Sequence, residues 1–223
     1  MIIGSWNIRG LCSPRKQKAV LFWLNKHCLD IFCLMETKHF NLEASAKCIA
    51  FFDNRGFDHY VNNKLQGRLL LFWKKHITAT IFDSFDQGIL CRMVDGHSQI
   101  CVGFIYGRND YLQRRILWRK IQLWTDWCRL GCLALMGDFN EVLNCGDRSN
   151  TDGIPSTAQE FKNCIHNAEL QEIQTIGPHF TWTNNNTHGN LIASKLDRCL
   201  INCTWLEIMH HSYLRADMPD ISD

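Results

Sequence analysis

Side chains that can bind a metal ion or a phosphate stand at the ends of several apolar segments of the sequence. A carboxylate, an amide or a phenol occupies each of these positions: Asn7, Glu36, Tyr106, Asp138, Asn140 and Asp197. Strand ends are where rigid scaffolds usually present functional groups. Oxygen ligands without Cys or His pairs suit Mg²⁺, Mn²⁺ or Ca²⁺ rather than zinc. Such a set favours metal-assisted hydrolysis of a phosphate ester, in which a cation stabilises the oxyanion and a carboxylate activates water.

Each of these residues also has a plainer interpretation, as a helix cap or a turn residue. Taken singly, any one of them is better explained in that way. Their joint occurrence, each after an apolar run of the same chain, favours a shared catalytic site instead.

Helices and strands follow one another irregularly, and runs of consecutive strands predominate. Helical spacing of apolar residues predicts helices at 14–28, 42–51, 110–129 and 157–168. Turn signals separate strands predicted at 1–8, 30–36, 57–62, 68–74, 77–85, 88–95, 99–106, 132–137, 178–183, 194–202 and 207–214. This order predicts an α+β fold, a four-layer α/β/β/α sandwich of two packed sheets with outer helices. We predict one domain over 1–223, because no linker, repeat or low-complexity segment interrupts the chain.

Composition excludes several classes of protein. The 223 residues are 46% hydrophobic and 21% charged, which is ordinary globular usage and excludes disordered, collagenous and coiled-coil chains. No run approaches the ~18 apolar residues that a membrane-spanning helix needs. The net charge of +2 does not indicate a nucleic-acid binder, so such a partner would require a local basic patch.

The cysteines indicate a reducing environment rather than a metal site. There are 12 of them, and the closest pairs, Cys128 with Cys132 and Cys199 with Cys203, lack the C-x₂-C spacing of zinc ligands. Most lie within apolar runs, and residues 1–6 lack the basic segment and cleavage site of a secretory signal. We therefore expect buried free thiols in an intracellular, reducing compartment.

Six segments, taken in order, resemble one known superfamily. They are Ser5-Trp6-Asn7-Ile8-Arg9-Gly10-Leu11, Leu34-Met35-Glu36-Thr37-Lys38, Tyr106-Gly107-Arg108-Asn109, Met136-Gly137-Asp138-Phe139-Asn140, Ser194-Lys195-Leu196-Asp197-Arg198 and Ser222-Asp223. They resemble the endonuclease/exonuclease/phosphatase superfamily, and most of all the endonuclease domain of plant LINE-type (non-LTR) retrotransposons. The resemblance covers the whole chain and implies a deoxyribonuclease I-like sandwich. One segment alone would be only suggestive, whereas six in the family's order are specific.

The resemblance implies a metal site. Glu36 is the implied principal ligand of Mg²⁺, with Mn²⁺ as a substitute, and Asn7 and Asp223 lie next to the metal. Many relatives have an aspartate where this chain has Arg9. We therefore expect one tightly bound ion, with Arg9 facing either phosphate or solvent.

The resemblance also implies roles in the reaction itself, an in-line attack of water on a DNA phosphodiester. Asp138 orients or deprotonates the water, and Asn140 holds that water or the phosphate. Tyr106 and Asn109 contact the scissile phosphate. Asp197 pairs with a histidine that acts on the phosphate. In relatives these side chains converge on one divalent cation.

That histidine belongs to a Ser-Asp-His segment, of which this sequence has Ser222-Asp223. We expect the histidine and the C-terminal strand after it to be missing from this chain. His210 and His211 are the nearest histidines, and we interpret both as structural or exposed, because strand alternation would point only one of them inward. Loss of a catalytic histidine typically costs ~10²–10⁴ in rate, so a catalytically silent remnant is a competing hypothesis.

A basic segment, 108–120, has two interpretations. It holds one acid, Asp110, and five bases: Arg108, Arg114, Arg115, Arg119 and Lys120. Such a run can follow DNA phosphates. Alternatively, residues 114, 115 and 119 form the solvated outer face of a helix, opposite its apolar stripe. Arg108 stands between two implied site residues and is predicted, like Arg9, to contact phosphate or DNA.

The segment 184–193 is interpreted either as a plain turn or, by resemblance, as a hairpin that enters a DNA groove. Trp182 and Trp205 could stack on bases, but we predict that both pack in the core.

Three functional hypotheses follow. The first is a Mg²⁺-dependent DNA endonuclease of retrotransposon origin, whose nick supplies the 3′-hydroxyl that primes reverse transcription. The second is a phosphatase or phosphodiesterase of the same superfamily, acting on inositol phosphates or sphingomyelin. The third is a silent nucleic-acid-binding remnant. We predict a monomer with DNA as its partner, with no membrane association and no protein partner inferred. The nucleus is the expected location if genomic DNA is the substrate.

Overall fold

Parallel pairing of the first two strands sets the geometry of the amino-terminal half of the chain. The computed structural model describes residues 1–11, 13–37, 42–62, 69–150, 153, 155–184 and 191–217. These fall into two compact units, Met1–Gln99 and a second that begins at Ile100. The elements of the first unit are β1 (Ile3–Asn7), α1 (Pro14–His27), β2 (Ile31–Met35), α2 (Leu42–Asp53), β3 (Phe57–Asn62), β4 (Leu69–Lys74), β5 (Thr78–Phe85) and β6 (Gly88–Asp95).

The first unit contains a four-stranded sheet in the order β1-β2-β4-β3. β1 and β2 are parallel, and β4 is antiparallel to both β2 and β3. All five residues of β2 are buried, as expected for an apolar run covered on both faces. β5 and β6 form an antiparallel hairpin with an irregularity between Ile81 and Asp83.

An aromatic cluster fills the core of the first unit. The ring centroid of Phe32 lies 5.4 Å from that of Phe52, 5.3 Å from that of Phe57 and 4.9 Å from that of Phe72. α1 packs beside this cluster through buried Val20 and Leu24. α2 contributes Phe52 to it, so both helices are fixed against the sheet.

The second unit is built on strands in the order β7-β8-β13-β9. β7 and β8 are parallel, whereas β13 is antiparallel to both β8 and β9. The elements are β7 (Ser98–Tyr106), α3 (Tyr111–Trp127), β8 (Leu133–Asp138), a 3₁₀ helix (Cys145–Asp147), α4 (Ser156–Asn167), β9 (Gln171–Glu172), β10 (Thr175–Ile176), β11 (Trp182–Thr183), β12 (Ala193–Ser194), β13 (Asp197–Ile201), α5 (Cys203–Ile208) and β14 (Leu214–Arg215).

Helices α3 and α4 are held together by stacked rings. Trp118 of α3 stacks on Phe161 of α4 at 4.5 Å, and Phe161 stacks on Phe139 at 5.2 Å. Phe139 directly follows Asp138 in the chain, so this stack also anchors the exit of β8. None of the helices in the described part of the chain is long and apolar enough to cross a bilayer.

Two sequence predictions about the carboxyl-terminal part are wrong in detail. In the segment predicted as a strand at 207–214, the helix Cys203–Ile208 ends, a turn follows, and only the two-residue strand Leu214–Arg215 is extended. Asn202 begins this helix, because its side chain accepts a hydrogen bond from the Trp205 amide. The strand predicted at 178–183 shortens to Trp182–Thr183.

Candidate active site

The carboxyl ends of β1 and β2 bring the first two predicted site residues together. The two strands are parallel with Asn7 opposite Met35, so Glu36 emerges beside Asn7. The Asn7 amide nitrogen Nδ2 donates to Glu36 Oε1 at 3.1 Å, and both residues are half-buried. A carboxylate and an amide therefore share one edge of the first sheet, as the sequence predicted.

The backbone around these two residues is held in an uncommon conformation. Glu36 and Arg9 have left-handed φ angles of 50° and 46°. The Gly10 amide donates to the Glu36 carbonyl at 2.7 Å, and the Arg9 amide donates to Asn7 Oδ1 at 3.3 Å. Left-handed conformations in non-glycine residues cost energy and cluster at functional sites.

Lys16 fixes the same loop from the helix side. Its ammonium group donates to the carbonyls of Ile8 at 2.7 Å and Arg9 at 2.9 Å. Helix α1 begins at Pro14, and the Ser13 side chain caps it by accepting from the Lys16 amide. The helix start and the β1 exit are thus tied together through one residue.

Three further predicted residues form one row across the second sheet. Tyr106 of β7 is opposite Asp138 of β8, and Asp138 is opposite Asp197 of β13. Residues directly opposite each other on paired strands point to the same face of a sheet. Tyr106 and Asp138 are buried, and Asp197 is half-buried. A phenol and two carboxyl groups therefore line one face.

Thr181 positions the Asp197 end of this row. Its hydroxyl oxygen accepts from the amides of Leu196 and Asp197, each at 3.1 Å. The Phe139 amide in turn donates to the Leu196 carbonyl at 3.0 Å. Sequence reasoning missed Thr181, because an isolated threonine in a predicted strand carries no spacing signal.

The loops that leave β7 and β8 bring Asn109 and Asn140 together. Asn140 Nδ2 donates to Asn109 Oδ1 and, at 3.3 Å, to the Gly107 carbonyl. The Asn140 amide donates to Asp138 Oδ1 at 2.9 Å, with Asn140 in a left-handed conformation at φ 53°. A Cβ atom at Gly107 would lie 2.4 Å from the Phe139 carbonyl oxygen. The close approach of the two loops therefore requires glycine at this position.

Arg114 binds both of these loops, a role that the sequence did not predict. It is buried rather than solvated or aligned with phosphates, so both predicted roles are wrong for this residue. One guanidinium nitrogen donates to the carbonyls of Arg108 at 2.7 Å and Asn109 at 2.8 Å. The other donates to Glu141 Oε2 at 2.7 Å. Glu141 follows Asn140, so one ion pair joins the loop of Asn109 to that of Asn140.

A second buried cation supports the β13 end. The Arg198 side chain is fully buried and pairs with Asp147 at 2.7 Å and Glu172 at 2.8 Å. Burial raises the pKa of Asp147, but the charge of Arg198 and the amides of Asn144 and Leu143 outweigh it. The net pKa therefore lies below its ordinary value, and Asp147 stays ionised beside Arg198.

The donor chemistry at the β1 and β2 ends fits a hard divalent cation. Glu36 offers carboxylate oxygen and Asn7 offers an amide, with no thiol or imidazole needed. Within the described residues, no three His, Cys, Asp or Glu side chains cluster as a metal site. Mg²⁺ commonly uses only one or two carboxylates and keeps several waters, so the small donor set suits it. The third predicted ligand, Asp223, lies outside the described residues.

Other predicted candidates have structural surroundings. Trp205 is buried and donates from Nε1 to Ser212 Oγ at 2.9 Å, which confirms its place in the core. His210 and His211 are exposed, as predicted. In the predicted groove hairpin, β11 pairs with β12, whereas residues 185–190 lie outside the described residues.

Comparison with known proteins places this arrangement in a class. The sequence profile of the Endonuclease/Exonuclease/phosphatase family matches residues 4–210. Proteins with such activities hydrolyse phosphate esters. The chain belongs to the Endonuclease/Exonuclease/phosphatase family. No curated protein matches this chain.

Three solved structures show the same fold. The endonuclease domain of TRAS1, a telomere-specific non-LTR retrotransposon, has 11% identity and a TM-score of 0.63, over 92% of this chain and 86% of that one. The 3′ phosphatase NExo from Neisseria, bound to a product DNA hairpin, has 15% identity and a TM-score of 0.67, over 92% and 88%. The AP endonuclease LMAP from Leishmania major has 16% identity and a TM-score of 0.71, over 91% and 79%.

These similarities confirm the predicted fold class. The chain has an α+β architecture with mixed sheets and flanking helices, like these deoxyribonuclease I-like structures. The resemblance stated from the six segments is confirmed as well, since the family matches and a non-LTR retrotransposon endonuclease domain shares the fold.

Proposed function

We propose that this chain is a Mg²⁺-dependent DNA endonuclease domain of the retrotransposon type, which nicks a phosphodiester bond. The observation that carries the proposal is the row of Tyr106, Asp138 and Asp197 on three adjoining strands. A phosphate ester hydrolase needs an acid-base group and a phosphate-holding group at fixed separation. The fold that this chain shares with DNA-processing enzymes adds support.

In this proposal Glu36 and Asn7 hold the cation, with Mn²⁺ as a substitute for Mg²⁺. When bound, the cation supplies positive charge that stabilises the phosphate oxyanion. Asp223 is proposed as a further ligand. Arg9 and Arg108 are proposed to contact the DNA backbone, since a guanidinium matches the geometry of a phosphate.

Asp138 is proposed to accept the proton of the attacking water. Its Oδ1 already accepts the Asn140 amide, which fixes the orientation of the carboxylate. As water attacks phosphorus, the P–O3′ bond breaks, leaving a 5′-phosphate and a 3′-hydroxyl that takes up a proton. Asn140, Asn109 and Tyr106 hold the phosphate in line. Asp197 is proposed to orient a histidine where one is supplied; without it, the leaving 3′-oxygen takes its proton from solvent water.

Relaxation of supercoiled plasmid with Mg²⁺ tests the proposal. Asp138→Asn and Glu36→Gln should each lower the nicking rate by ~10²–10⁴. The matched control Asp58→Asn, at an exposed position of β3, should leave the rate unchanged. If both groups act in one step, the double variant loses less than the product of the single losses. Unaltered nicking by Asp138→Asn would sink the assignment.

Two further arms separate the rival functions. The resemblance implies a histidine that acts on the phosphate. A chain extended past Asp223 by a histidine and a strand should therefore nick faster than the chain that ends at Asp223. DNA binding without nicking by either chain would favour the silent remnant. A 3′-phosphorylated oligonucleotide tests for phosphatase activity, which the shared fold of the Neisseria 3′ phosphatase makes the second candidate. Release of phosphate without nicking would favour that candidate.

We also propose that the chain acts as a monomer inside the cell, in the nucleus if genomic DNA is its substrate. For the location, the supporting observation is that the ten cysteines whose side chains the structure describes are free thiols, seven of them buried. Unpaired buried thiols persist in reducing compartments. Sedimentation at several concentrations and localisation of a tagged chain test the two parts.

A further inference from the structure

Helix α3 is apolar on two opposite faces. Its inner face packs in the core through fully buried Leu117, Ile121 and Trp124. The outer face carries Leu112, Ile116, Leu123 and Trp127, which are 51%, 51%, 45% and 54% exposed. Steps of four, seven and four residues place these side chains in one row, at ~100° per residue. We call these four residues the outer stripe; it extends over ~22 Å at ~1.5 Å per residue.

The outer stripe differs from apolar residues scattered singly over a surface, because its four exposed side chains share one face of a helix. Leu130, in the turn after the helix, is 98% exposed. Contiguous exposed apolar patches bordered by polar residues mark interaction sites. The sequence predicted a solvated outer face for this helix. Such a face does not explain why four large apolar side chains are half-exposed in one row.

Two bases border the outer stripe at its middle. Arg119 lies on one side and Lys120 on the other, in the gap between Ile116 and Leu123. The bases of segment 108–120, which were predicted to follow phosphates, therefore differ in their surroundings. Arg114 is buried in its pair with Glu141, and Arg115 binds Glu160 in a bidentate ion pair. What faces outward along α3 is a narrow apolar row with positive borders.

We propose that the outer stripe docks an amphipathic helix whose polar borders are acidic. A partner helix supplies apolar anchors at i, i+4 and i+7, which match a row one side chain wide. Glutamates or aspartates beside those anchors complement Arg119 and Lys120. The proposal is independent of the nuclease assignment, because no stripe residue belongs to the candidate active site.

A second copy of the chain fits the stripe less well. A two-fold axis through the stripe would bring two sets of basic borders together, with Asp126 as the only acid on this face of the described helix. A bilayer surface needs a wider apolar face than one bordered by charges on both sides.

The test uses the full chain and fluorescently labelled synthetic helices of about 18 residues. The acidic probe has leucines at i, i+4, i+7 and i+11 with glutamate borders, and the basic probe replaces every glutamate by lysine. Fluorescence anisotropy should show saturable binding of the acidic probe, at least about tenfold tighter than the basic probe.

Variants separate the two parts of the stripe. Leu123→Ser should weaken the acidic probe about tenfold, whereas Leu206→Ser, at a similarly exposed leucine of α5, should not. Arg119→Glu with Lys120→Glu should reverse the preference between the two probes. Circular dichroism checks that each variant is folded, and plasmid nicking should be unchanged in all of them.

Four outcomes would overturn the proposal. They are absence of saturable binding, equal binding of both probes, and a preference that the charge reversal does not change. The fourth is that Leu123→Ser abolishes concentration-dependent dimerisation or binding to vesicles of anionic phospholipid, with no effect on the probe; a second copy or a membrane would then be the occupant.

Discussion

Arg114 was not predicted as a site residue, yet its removal should disturb the candidate site strongly. Its guanidinium spans three acceptors in two loops: the carbonyls of Arg108 and Asn109, and the carboxylate of Glu141. Both members of the ion pair are buried, with 7% and 6% of their side chains exposed. Breaking such a pair leaves a charge without compensation, whereas replacing both partners by apolar residues costs much less.

We therefore predict that Arg114→Ala lowers the free energy of unfolding by about 3–5 kcal/mol. The double variant Arg114→Met/Glu141→Leu should retain most of the stability, because no buried charge is left alone. Its nicking rate should still fall, because the ion pair that joins the loops of Asn109 and Asn140 is lost. Urea unfolding measures the first effect and plasmid nicking the second. Equal stability of the single and double variants would contradict the argument, and exposed Arg129→Ala is the matched control.

The candidate residues at strand ends could be predicted from the sequence, but the pairing of Arg114 with Glu141 could not. Glu36, Asp138 and Asn140 stood out because each follows an apolar run. Arg114 did not, because a helical arginine among four other bases has no feature that separates a buried partner from a solvated one. Its acceptor, Glu141, lies 27 positions away, and only the fold joins them.

Among the elements, the small parallel pair β10 and β14 depends on one glycine. Gly177 follows β10 with a φ of 101°, and a Cβ atom there would lie 2.2 Å from the Ala216 carbonyl oxygen. The Leu214 amide donates to the Gln174 carbonyl, and the Ala216 amide donates to the Ile176 carbonyl, each at 2.9 Å. Any side chain at 177 must therefore displace the segment that follows β14.

We predict that Gly177→Ala destabilises the chain by about 1–3 kcal/mol, through a left-handed alanine and the clash together. Faster hydrogen exchange at the Leu214 and Ala216 amides should accompany the loss. Gly146→Ala is the control, because nothing lies within 4 Å of its Cβ position and its φ is outside the left-handed region. Slow exchange at both amides in the Gly177 variant would show that the contact is not needed.

Long apolar elements were predicted closely, and short ones were not. β3 and β6 occupy the predicted 57–62 and 88–95, since alternation and turn signals define both of their ends. The strand expected at 207–214 failed because α5, capped by Asn202, extends to Ile208 and a turn follows it before Leu214. Two-residue strands such as β9 and β12 exist only through their partners, so no local pattern predicts them.

For the whole molecule, thiol reactivity should report global unfolding. Burial raises the pKa of Cys199, assisted by Glu172, and of Cys164 to about 12. The thiolate is the reactive form, so these thiols should resist iodoacetamide at pH 8 until the chain unfolds. The exposed Cys28, Cys145 and Cys203 should react first. Peptide mapping by mass spectrometry distinguishes the sites, and early labelling of Cys199 would refute the prediction.

The same pKa values fix the sign of one pH effect. The thiols are neutral in the folded state, whereas in the unfolded chain they ionise near pH 8.5. Their contribution to stability is therefore complete below about pH 8.5 and is lost progressively as pH rises toward the folded pKa values. Urea midpoints that stay constant from neutral pH to pH 10 would contradict this contribution.

For the whole molecule, the sequence predicted the fold class and the family, because six segments in the family's order indicate both. The candidate residues occupy the ends of β1 and β2 in one unit and the ends of β7, β8 and β13 in the other. The supports of these residues, Thr181, Arg114 and Arg198, are products of tertiary packing. Local spacing carries no information about these three residues, so the sequence predicted candidate residues at strand ends but not the side chains that hold them in place.

The row formed by Tyr106, Asp138 and Asp197 has a consequence for how such a domain can diversify. Hydrogen-bonded strands repeat every ~4.7–4.9 Å, so the interval between these groups is a constant of the sheet. Insertions or replacements in the surface loops leave that interval untouched. The surroundings of these three side chains can therefore change with the loops, while the spacing of the side chains stays the same.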